Sequence, residues 1–189
     1  MPNNKVIIFS APSGAGKTTI VKHLLNNNKE LFFSISATSR KKREGETNGK
    51  DYYFLTADEF KNKINNGEFL EYEEVYKDNF YGTLKSEVER IWGLNKNVLF
   101  DVDVKGGINI KKYYKEKALL IFVMPPSLEE LERRLRSRST EAENSIIERI
   151  AKAETEISYK DKFDIVLIND NLNDTLVKAS DIVNNFILK

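Results

Sequence analysis

Residues 11–18 read Ala-Pro-Ser-Gly-Ala-Gly-Lys-Thr and lie between an apolar run at 6–9 and a segment with apolar residues at helical spacing. This order predicts a strand, a loop of small residues and a helix. Glycines let successive backbone N–H groups point inward, the helix start adds partial positive charge, and Lys17 adds a full charge. Thr18 places a hydroxyl where Mg²⁺ can bind. The segment predicts a phosphate-binding loop for a nucleoside triphosphate, although Ala11 stands where the usual pattern has glycine. An ordinary strand-to-helix turn is the alternative, and a Lys-Thr pair directly after Gly-Ala-Gly disfavours it.

The composition limits the kinds of protein this chain can be. It has 189 residues, enough for one sizeable core with smaller inserted lobes. Thirty basic and 29 acidic residues leave a net charge of +1, so no global field favours nucleic acid or a membrane surface. There is no cysteine, which excludes disulfides, thiolate chemistry and cysteine-based zinc sites. We expect a single-domain, soluble, cytoplasmic protein without nucleic-acid or membrane partners; its oligomeric state is open.

Short apolar runs alternate with helix-like sequence along the chain. After the run at 6–9, further runs occur at 31–36, 97–100, 118–123 and 165–168. Such alternation predicts an α/β fold, with a doubly wound parallel sheet and helices on both faces. Helix starts resembling capping boxes occur at Ser127 and Ser145, each with glutamate three residues on. Further helices are expected from Thr56 and through 172–187.

Residues 37–95 interrupt this alternation. Period-two aromatic and apolar residues around 69–72, and a turn-like Lys-Asp-Asn at 77–79, predict a small, mostly antiparallel lobe inserted into the core.

Basic residues occur in two groups that phosphate binding can use. Residues 40–43 read Arg-Lys-Lys-Arg, which fits either a solvated loop or a site for a second phosphate group, since guanidinium forks match phosphate oxygens. Arg134 and Arg138 share one face of a later helix, whereas Arg133 and Arg136 face elsewhere. This helix is either solvent-exposed, with its charges balanced by glutamates at 129, 130 and 132, or part of a loop that closes over a phosphate.

Acidic residues are predicted at the substrate end of the sheet. Asp101 and Asp103 follow the strand at 97–100, at the carboxyl end where ligands of open α/β sheets bind. One could reach a metal's water shell and the other a second substrate; capping of the following helix is the alternative. The Asp-Val-Lys-Gly at 103–106 fits a GTP switch, but no Asn-Lys-x-Asp motif follows.

Glu71 stands among apolar and aromatic neighbours. In a pocket, its carboxylate could accept the N1–H and exocyclic amine of guanine, whereas adenine presents an acceptor at N1; such a mismatch can give on the order of 10⁴-fold discrimination. The alternative is a surface glutamate on a half-buried strand.

With these motifs in this order, the chain resembles guanylate kinases along nearly its whole length. The most specific stretch is 40–46, Arg-Lys-Lys-Arg-Glu-Gly-Glu, followed by Asn-Gly-Lys-Asp-Tyr at 48–52. The resemblance implies Mg²⁺-dependent transfer of the γ-phosphoryl group of ATP to GMP. It also implies three parts: a core at 1–36, 96–126 and 153–189, a GMP-binding lobe at 37–95, and a helical, arginine-rich lid at 127–152.

The resemblance assigns site residues by matching position. ATP would be held by Ala11, Pro12, Ser13, Gly14, Ala15, Gly16, Lys17 and Thr18, with Asn169 near its adenosine end. GMP would be held by Ser36, Arg40, Arg43, Tyr52 and Tyr81 at the phosphate, Glu71 and Thr83 at the guanine, and Asp103 more loosely. Lys17, Arg134, Arg138 and Arg149 would stabilise the phosphoryl group in transit, and Thr18 and Asp101 would lie at the metal, the latter through water.

Three positions depart from the family pattern. Lys42 replaces a common proline, Lys105 a common glutamine and Ser139 a lid glycine, which puts lid kinetics in question more than the reaction.

Two other readings remain. Guanylate-kinase-like scaffold domains bind peptides instead of catalysing, but they typically degrade the phosphate loop. A kinase for another nucleoside monophosphate would share the core, and Glu71 and Thr83 argue against it.

Overall fold

The computed structural model describes residues 4–137 and 143–189. The strands are β1 (Val6–Ser10), β2 (Leu31–Phe33), β3 (Ala37–Thr38), β4 (Tyr53–Phe54), β5 (Phe69–Tyr76), β6 (Asn79–Leu84), β7 (Asn97–Asp101), β8 (Ala118–Met124) and β9 (Ile165–Ile168). The helices are α1 (Lys17–Asn27), α2 (Ala57–Asn65), α3 (Lys85–Gly93), α4 (Val104–Tyr114), α5 (Leu128–Arg136), α6 (Glu143–Ile157) and α7 (Leu172–Ile187), with short 3₁₀ turns at Lys115–Lys117 and Lys160–Lys162.

The core is a five-stranded parallel sheet in the order β2-β7-β1-β8-β9. β1 is buried along its whole length because helices cover both faces. Ile7 and Phe9 pack in a cluster with residues of α1 and α7, whereas Val6 and Ile8 pack with residues of α3 and α4. The predicted doubly wound α/β core is confirmed, and it brings the ends of β1 and β7 to one edge.

The core strand predicted at 31–36 is wrong in its length. β2 ends at Phe33, and the amide of Ser34 makes a last hydrogen bond to Leu99 O at 2.9 Å. Beyond it the chain leaves the core sheet and enters β3 at Ala37. The short segment 34–36 is therefore a crossing between two sheets.

The second sheet has four strands in the order β4-β3-β6-β5, and all but the β3–β4 pair are antiparallel. Asp78 turns the chain between β5 and β6 with a positive φ of 61°. Phe60 of α2 stacks on Phe69 at 4.3 Å and on Phe80 at 5.3 Å between ring centroids. Helix α2 follows Thr56 as predicted, and Thr56 caps it in a full capping box. These contacts give the sheet its own small core.

The helices α5 and α6 pack together through the buried side chains of Leu131, Leu135, Ile146 and Ala153. Ser127 caps α5 as predicted, accepting from the amide of Glu130 at 3.1 Å. The predicted helix start at Ser145 is wrong, because α6 already begins at Glu143. The Glu143 carboxylate pairs with Arg136 at 2.6 and 2.7 Å, and an acidic residue in a first turn suits the helix dipole.

Arg138, Ser139 and Thr140 lie outside the described residues. Within the described part of the chain, none of the helices is both long and apolar enough to span a membrane.

Candidate active site

The predicted phosphate loop, residues 11–18, depends on glycine at two positions. Gly14 and Gly16 have φ of 93° and 97°, a region that side chains with a Cβ rarely adopt. A Cβ on Gly16 would lie 2.2 Å from Asn169 Nδ2, and one on Gly14 would lie 3.0 Å from Leu131 Cδ1. Side chains of α5 and Asn169 therefore pack closely against the loop, and α1 begins at the end of the loop, at Lys17.

Asn169, predicted near the adenosine end, braces this loop. Its side chain is buried, and Nδ2 donates to Ala15 O at 2.8 Å. Arg134 Nη2 in turn donates to Asn169 O at 2.9 Å. The end of β9 and helix α5 are thus tied to the phosphate loop through one asparagine.

A cavity of about 450 Å³ opens over the loop. It is lined by Ala11, Pro12, Ser13, Gly14, Gly16, Lys17, Thr18, Thr19, Asp101, Val102, Asp103, Arg149, Lys152 and Glu156. We call it the donor cavity. The Lys17 ammonium contacts the Asp101 carboxylate, and Arg149 Nη1 donates to Ser13 Oγ at 2.7 Å. The predicted residues Lys17, Thr18, Asp101 and Arg149 are therefore together.

Sequence reasoning missed Lys152 and Glu156. Both follow Arg149 at spacings of three and seven, which place them on the same face of α6. Burial raises the pKa of Glu156, the charge of Asp103 adds to the rise, and Lys152 opposes it. The helical spacing from Arg149 was the signal that could have found them.

Arg134 does not line the donor cavity. Its Nε donates to Glu130 at 2.7 Å, and Arg133 donates to the same carboxylate. These hydrogen bonds lower the pKa of Glu130 to about 2, and the one from Arg133 contributes most. The structure thus shows the charge balance by glutamates that was the alternative for this helix, while also tying Arg134 to Asn169.

A second cavity, of about 390 Å³, lies between the two sheets, and we call it the acceptor cavity. Its lining comprises Ser36, Tyr52, Glu71, Glu73, Val75, Tyr81, Gly82, Asp101, Val102 and Asp103. Five residues predicted for one substrate, Ser36, Tyr52, Glu71, Tyr81 and Asp103, therefore come together. Residues 101–103 line both cavities, so the two sites meet there.

Glu73 and Val75 were not predicted for this cavity. Glu73 alternates with Glu71 along β5 and so shares its face, which the period of a strand could have shown. Val75 lies where the β5–β6 pairing is irregular, between Glu74 and Tyr76, so the period alone does not place it.

Glu71 lies half-buried in the acceptor cavity. The hydroxyl of the buried Thr83 donates to Glu71 Oε1 at 2.7 Å. Burial raises the pKa of Glu71 to about 7; the hydrogen bond from Thr83 opposes this rise and the charge of Asp103 adds to it. A ligand that donates hydrogen bonds to Glu71 would therefore stabilise its ionised form.

Asp103 is also the cap of α4, the alternative considered from sequence. Its Oδ1 accepts from the amide of Gly106 at 2.7 Å. A Cβ on Gly106 would lie 2.8 Å from that oxygen and 3.1 Å from Glu71 Oε2. Helix α4 thus begins close to both carboxylates, and its N-terminus favours negative charge there.

The basic loop is held by an internal ion pair. Arg40 binds Glu46 through two bonds of 2.7 and 2.5 Å, and the Glu46 carboxylate also accepts from the amide of Arg43. These contacts lower the pKa of Glu46 to about 2, and the hydrogen bonds from Arg40 contribute most. The Arg40 guanidinium lies 5.0 Å from the ring centroid of Tyr52, beside the acceptor cavity. The side chain of Arg43 is exposed, as are Lys42 and Lys105.

The comparisons with known proteins agree on one family. A family model described as guanylate kinase matches residues 3–186. The guanylate kinase of Bacteroides fragilis is 55% identical over 183 residues, covering 97% of this chain and 90% of that protein. That of Porphyromonas gingivalis is 52% identical over 186 residues, covering 98% and 99%. The crystal structure of guanylate kinase from Anaplasma phagocytophilum is similar with a TM-score of 0.72 and 30% identity, covering 98% of this chain and 87% of that one. The chain belongs to the guanylate kinase family.

Proposed function

We propose that this chain transfers the γ-phosphoryl group of ATP to GMP, giving ADP and GDP, a step of purine nucleotide metabolism. The observation that carries the proposal is the pair of cavities that share residues 101–103. One is built on a phosphate-binding loop and the other surrounds a carboxylate suited to guanine. Two substrates bound there would have their phosphates at the common wall.

The donor cavity would hold ATP. Backbone N–H groups of residues 11–18 and the start of α1 would bind its phosphates, with Lys17 adding a full charge. Arg149 would contribute from the facing helix α6, where it already reaches Ser13. Arg134 would act on the site through Asn169, and Arg138 would complete the arginine set of the lid at 127–152.

The acceptor cavity would hold GMP. Ser36, Tyr52 and Tyr81, together with Arg40 and Arg43 of the adjoining loop, would bind its phosphate. Glu71 would accept from guanine N1–H and the exocyclic amine, and Thr83, which donates to the same carboxylate, would orient it. Asp103 would stand at the edge between the substrates. In this division the lobe at 37–95 is the acceptor lobe, and residues 1–36, 96–126 and 153–189 form the core.

The chemistry needs little from the protein beyond position and charge. A phosphate oxygen of GMP attacks the γ-phosphorus of ATP, a new P–O bond forms, and the bond to the bridging oxygen breaks as ADP leaves. That oxygen is already a competent nucleophile, so no general base is required. Lys17 and Arg149 would stabilise the charge that spreads over the transferred group.

Mg²⁺ fits the oxygen donors of the donor cavity. The Thr18 hydroxyl and the Asp101 carboxylate line it together, and Mg²⁺ prefers such ligands. Across 4–137 and 143–189 there is no cluster of three or more histidine, cysteine or acidic side chains arranged for a metal. Thr18 would bind the ion directly and Asp101 through a water, and the remaining ligands would be phosphate oxygens and further waters, as is common for Mg²⁺. When bound, the ion would neutralise charge on the ATP phosphates.

The two alternative functions are not favoured. A peptide-binding scaffold does not require an intact phosphate loop, whereas here Gly14, Gly16, Lys17 and Thr18 are all kept and line an open cavity. An adenine nucleotide kinase would gain nothing from Glu71, since adenine would face its carboxylate with an acceptor at N1.

A coupled assay of ADP release from Mg-ATP, run separately with GMP, AMP, CMP, UMP and dTMP, tests the proposal. We expect rapid turnover with GMP alone. Preference for another acceptor would overturn the guanine assignment, and no turnover with any of the five would overturn the kinase assignment.

A further inference from the structure

A buried carboxylate lies outside both cavities, where the inserted lobe joins the core. Glu87, on α3, is only 2% exposed. A buried charge is costly unless it is paired and hydrogen-bonded. Here both carboxylate oxygens are satisfied: the Ile35 amide donates at 3.1 Å, the Tyr53 hydroxyl at 2.8 Å, and Arg90 through two bonds of 2.8 and 2.9 Å.

The first two of these donors stand directly beside the acceptor cavity. Ile35 is in the crossing from β2 to β3, and the next residue, Ser36, lines the cavity. Tyr53 is in β4 and follows Tyr52, which also lines it. The amide of Tyr53 donates to Ser36 O at 2.9 Å, which closes the connection between the two segments. Glu87 therefore holds two cavity-lining residues through their chain neighbours.

Glu87 itself is anchored in the core. Its helix α3 follows β6 and packs on the core sheet through Val88 and Ile91, which are fully buried. The chain leaves the core for the lobe at 34–36 and returns through α3. One carboxylate thus connects the outgoing and the returning segments, and it fixes the lobe sheet relative to the core.

The charge state of this group suits the role. Burial alone would raise the pKa of Glu87, but hydrogen bonds from Arg90, the Ile35 amide and Tyr53 outweigh burial and leave the pKa lowered. Burial, together with Glu87, raises the pKa of Tyr53, so its hydroxyl stays a donor. At neutral pH the Glu87 carboxylate is therefore ionised, the Tyr53 hydroxyl keeps its proton, and all the hydrogen bonds to Glu87 can form together.

We propose that Glu87 is a positioning residue for the nucleoside monophosphate: by holding Ile35 and Tyr53 it sets Ser36 and Tyr52 for the acceptor phosphate. This inference rests on the proposed function. The donor cavity contains none of these residues. Loss of the Glu87 carboxylate should therefore weaken GMP binding and leave ATP binding unchanged.

The test compares Glu87→Gln with Glu89→Gln, an exposed residue of the same helix. Glutamine keeps the size but removes the charge that Arg90 and Tyr53 bind. We expect the KM for GMP to rise about 10-fold in Glu87→Gln, with the KM for ATP within about twofold, and no change in Glu89→Gln. Equal changes in both KM values, or a lower melting temperature with unchanged kinetics, would overturn the inference, because a purely structural role predicts them.

A second variant keeps the test independent of folding. Tyr53→Phe removes only one donor and retains the ring, so it should raise the KM for GMP about threefold. Because the two residues share one bond, the double variant should lose less than the product of the single effects. Fully multiplicative effects would contradict the proposed network.

Hydrogen exchange of the ligand-free protein separates this inference from the proposed function. Glu87→Gln should speed exchange of the Ile35 amide; unchanged exchange would overturn the inference even if the wild-type chain phosphorylates GMP. Absence of GMP turnover in the wild-type chain would refute the proposed function before any variant is compared.

Discussion

The donor and acceptor cavities are built in different ways. The donor cavity depends on the main chain of one continuous segment, residues 11–18, whose glycines adopt positive φ. The acceptor cavity depends on side chains from several separate segments, brought together by the pairing of β3, β5 and β6. The proposed phosphate site is therefore encoded locally, whereas the proposed guanine site forms only once β3, β5 and β6 have paired.

The charges of the two cavities differ as well. Three cations, Lys17, Arg149 and Lys152, line the donor cavity together with three acidic residues, and these cations would match a polyphosphate. The charged side chains that line the acceptor cavity are all acidic. Glu71 and Glu73 line the acceptor cavity, and the Arg40 guanidinium, which lies over the lining residue Tyr52, is bound by Glu46. Changes in the donor cavity should therefore affect phosphoryl transfer, and changes in the acceptor cavity should affect the choice of acceptor.

Lys17→Ala should have the largest effect. It removes the mobile cation at the phosphates, and kcat should fall by at least about 1,000-fold while the KM for GMP changes little. Steady-state kinetics and circular dichroism would measure this, with Lys22→Ala, an exposed residue of the same helix, as the control. Retained turnover in a folded variant would remove Lys17 from the reaction.

Glu71→Ala should act on the other cavity. Loss of two hydrogen bonds to a charged group should lower kcat/KM for GMP by about 100-fold and reduce the preference for GMP over AMP. The KM for ATP should stay within about twofold. Glu74→Ala, at an exposed residue of the same strand that lines neither cavity, is the control. An unchanged preference for GMP would place guanine away from Glu71.

Arg149→Ala should have a smaller effect on the donor side. It removes one charged donor and the contact with Ser13, so kcat should fall by about 20-fold with the KM for GMP unchanged. Single-turnover kinetics beside Glu148→Ala, the exposed neighbour on α6, would measure it. A rise in the KM for GMP alone would assign Arg149 to the acceptor cavity instead.

The smallest effect should come from pH. In the proposed function the ionised form of Glu71 would accept guanine's N–H groups. Its pKa is raised to about 7, so GMP affinity should fall as pH drops through this value. Between pH 8 and 6 the fall should be about 10-fold. The GMP phosphate also titrates, near pH 6. Glu71→Gln corrects for this, and titration calorimetry of both proteins should show the extra fall in the wild type only.

The phosphate loop of the donor cavity could be predicted from sequence, because strand, glycine loop and helix follow one another along the chain. Arg149 required the family resemblance, and Lys152 and Glu156 of the same helix were missed. The acceptor residues Ser36, Tyr52 and Tyr81 required the family resemblance, since no local pattern joins three segments so far apart. Their roles in binding GMP remain predictions.

Other features depend on contacts between distant residues. The early end of β2 follows from its crossing to the lobe, and the earlier start of α6 from the pairing of Glu143 with Arg136. In the network around Glu87, Tyr53 lies 34 positions and Ile35 lies 52 positions from Glu87 along the chain. Periodicity alone therefore gives no sign of the network.

Titration calorimetry with GMP, in the presence and absence of a saturating non-hydrolysable ATP analogue, tests most directly whether the two cavities form one transfer site. We predict that one GMP binds per chain under both conditions and that the analogue does not weaken the affinity for GMP. The reason is that the cavities share residues 101–103 but would each hold a different nucleotide. Mutual displacement of GMP and the analogue would contradict this account, because it would mean that both nucleotides occupy the same cavity.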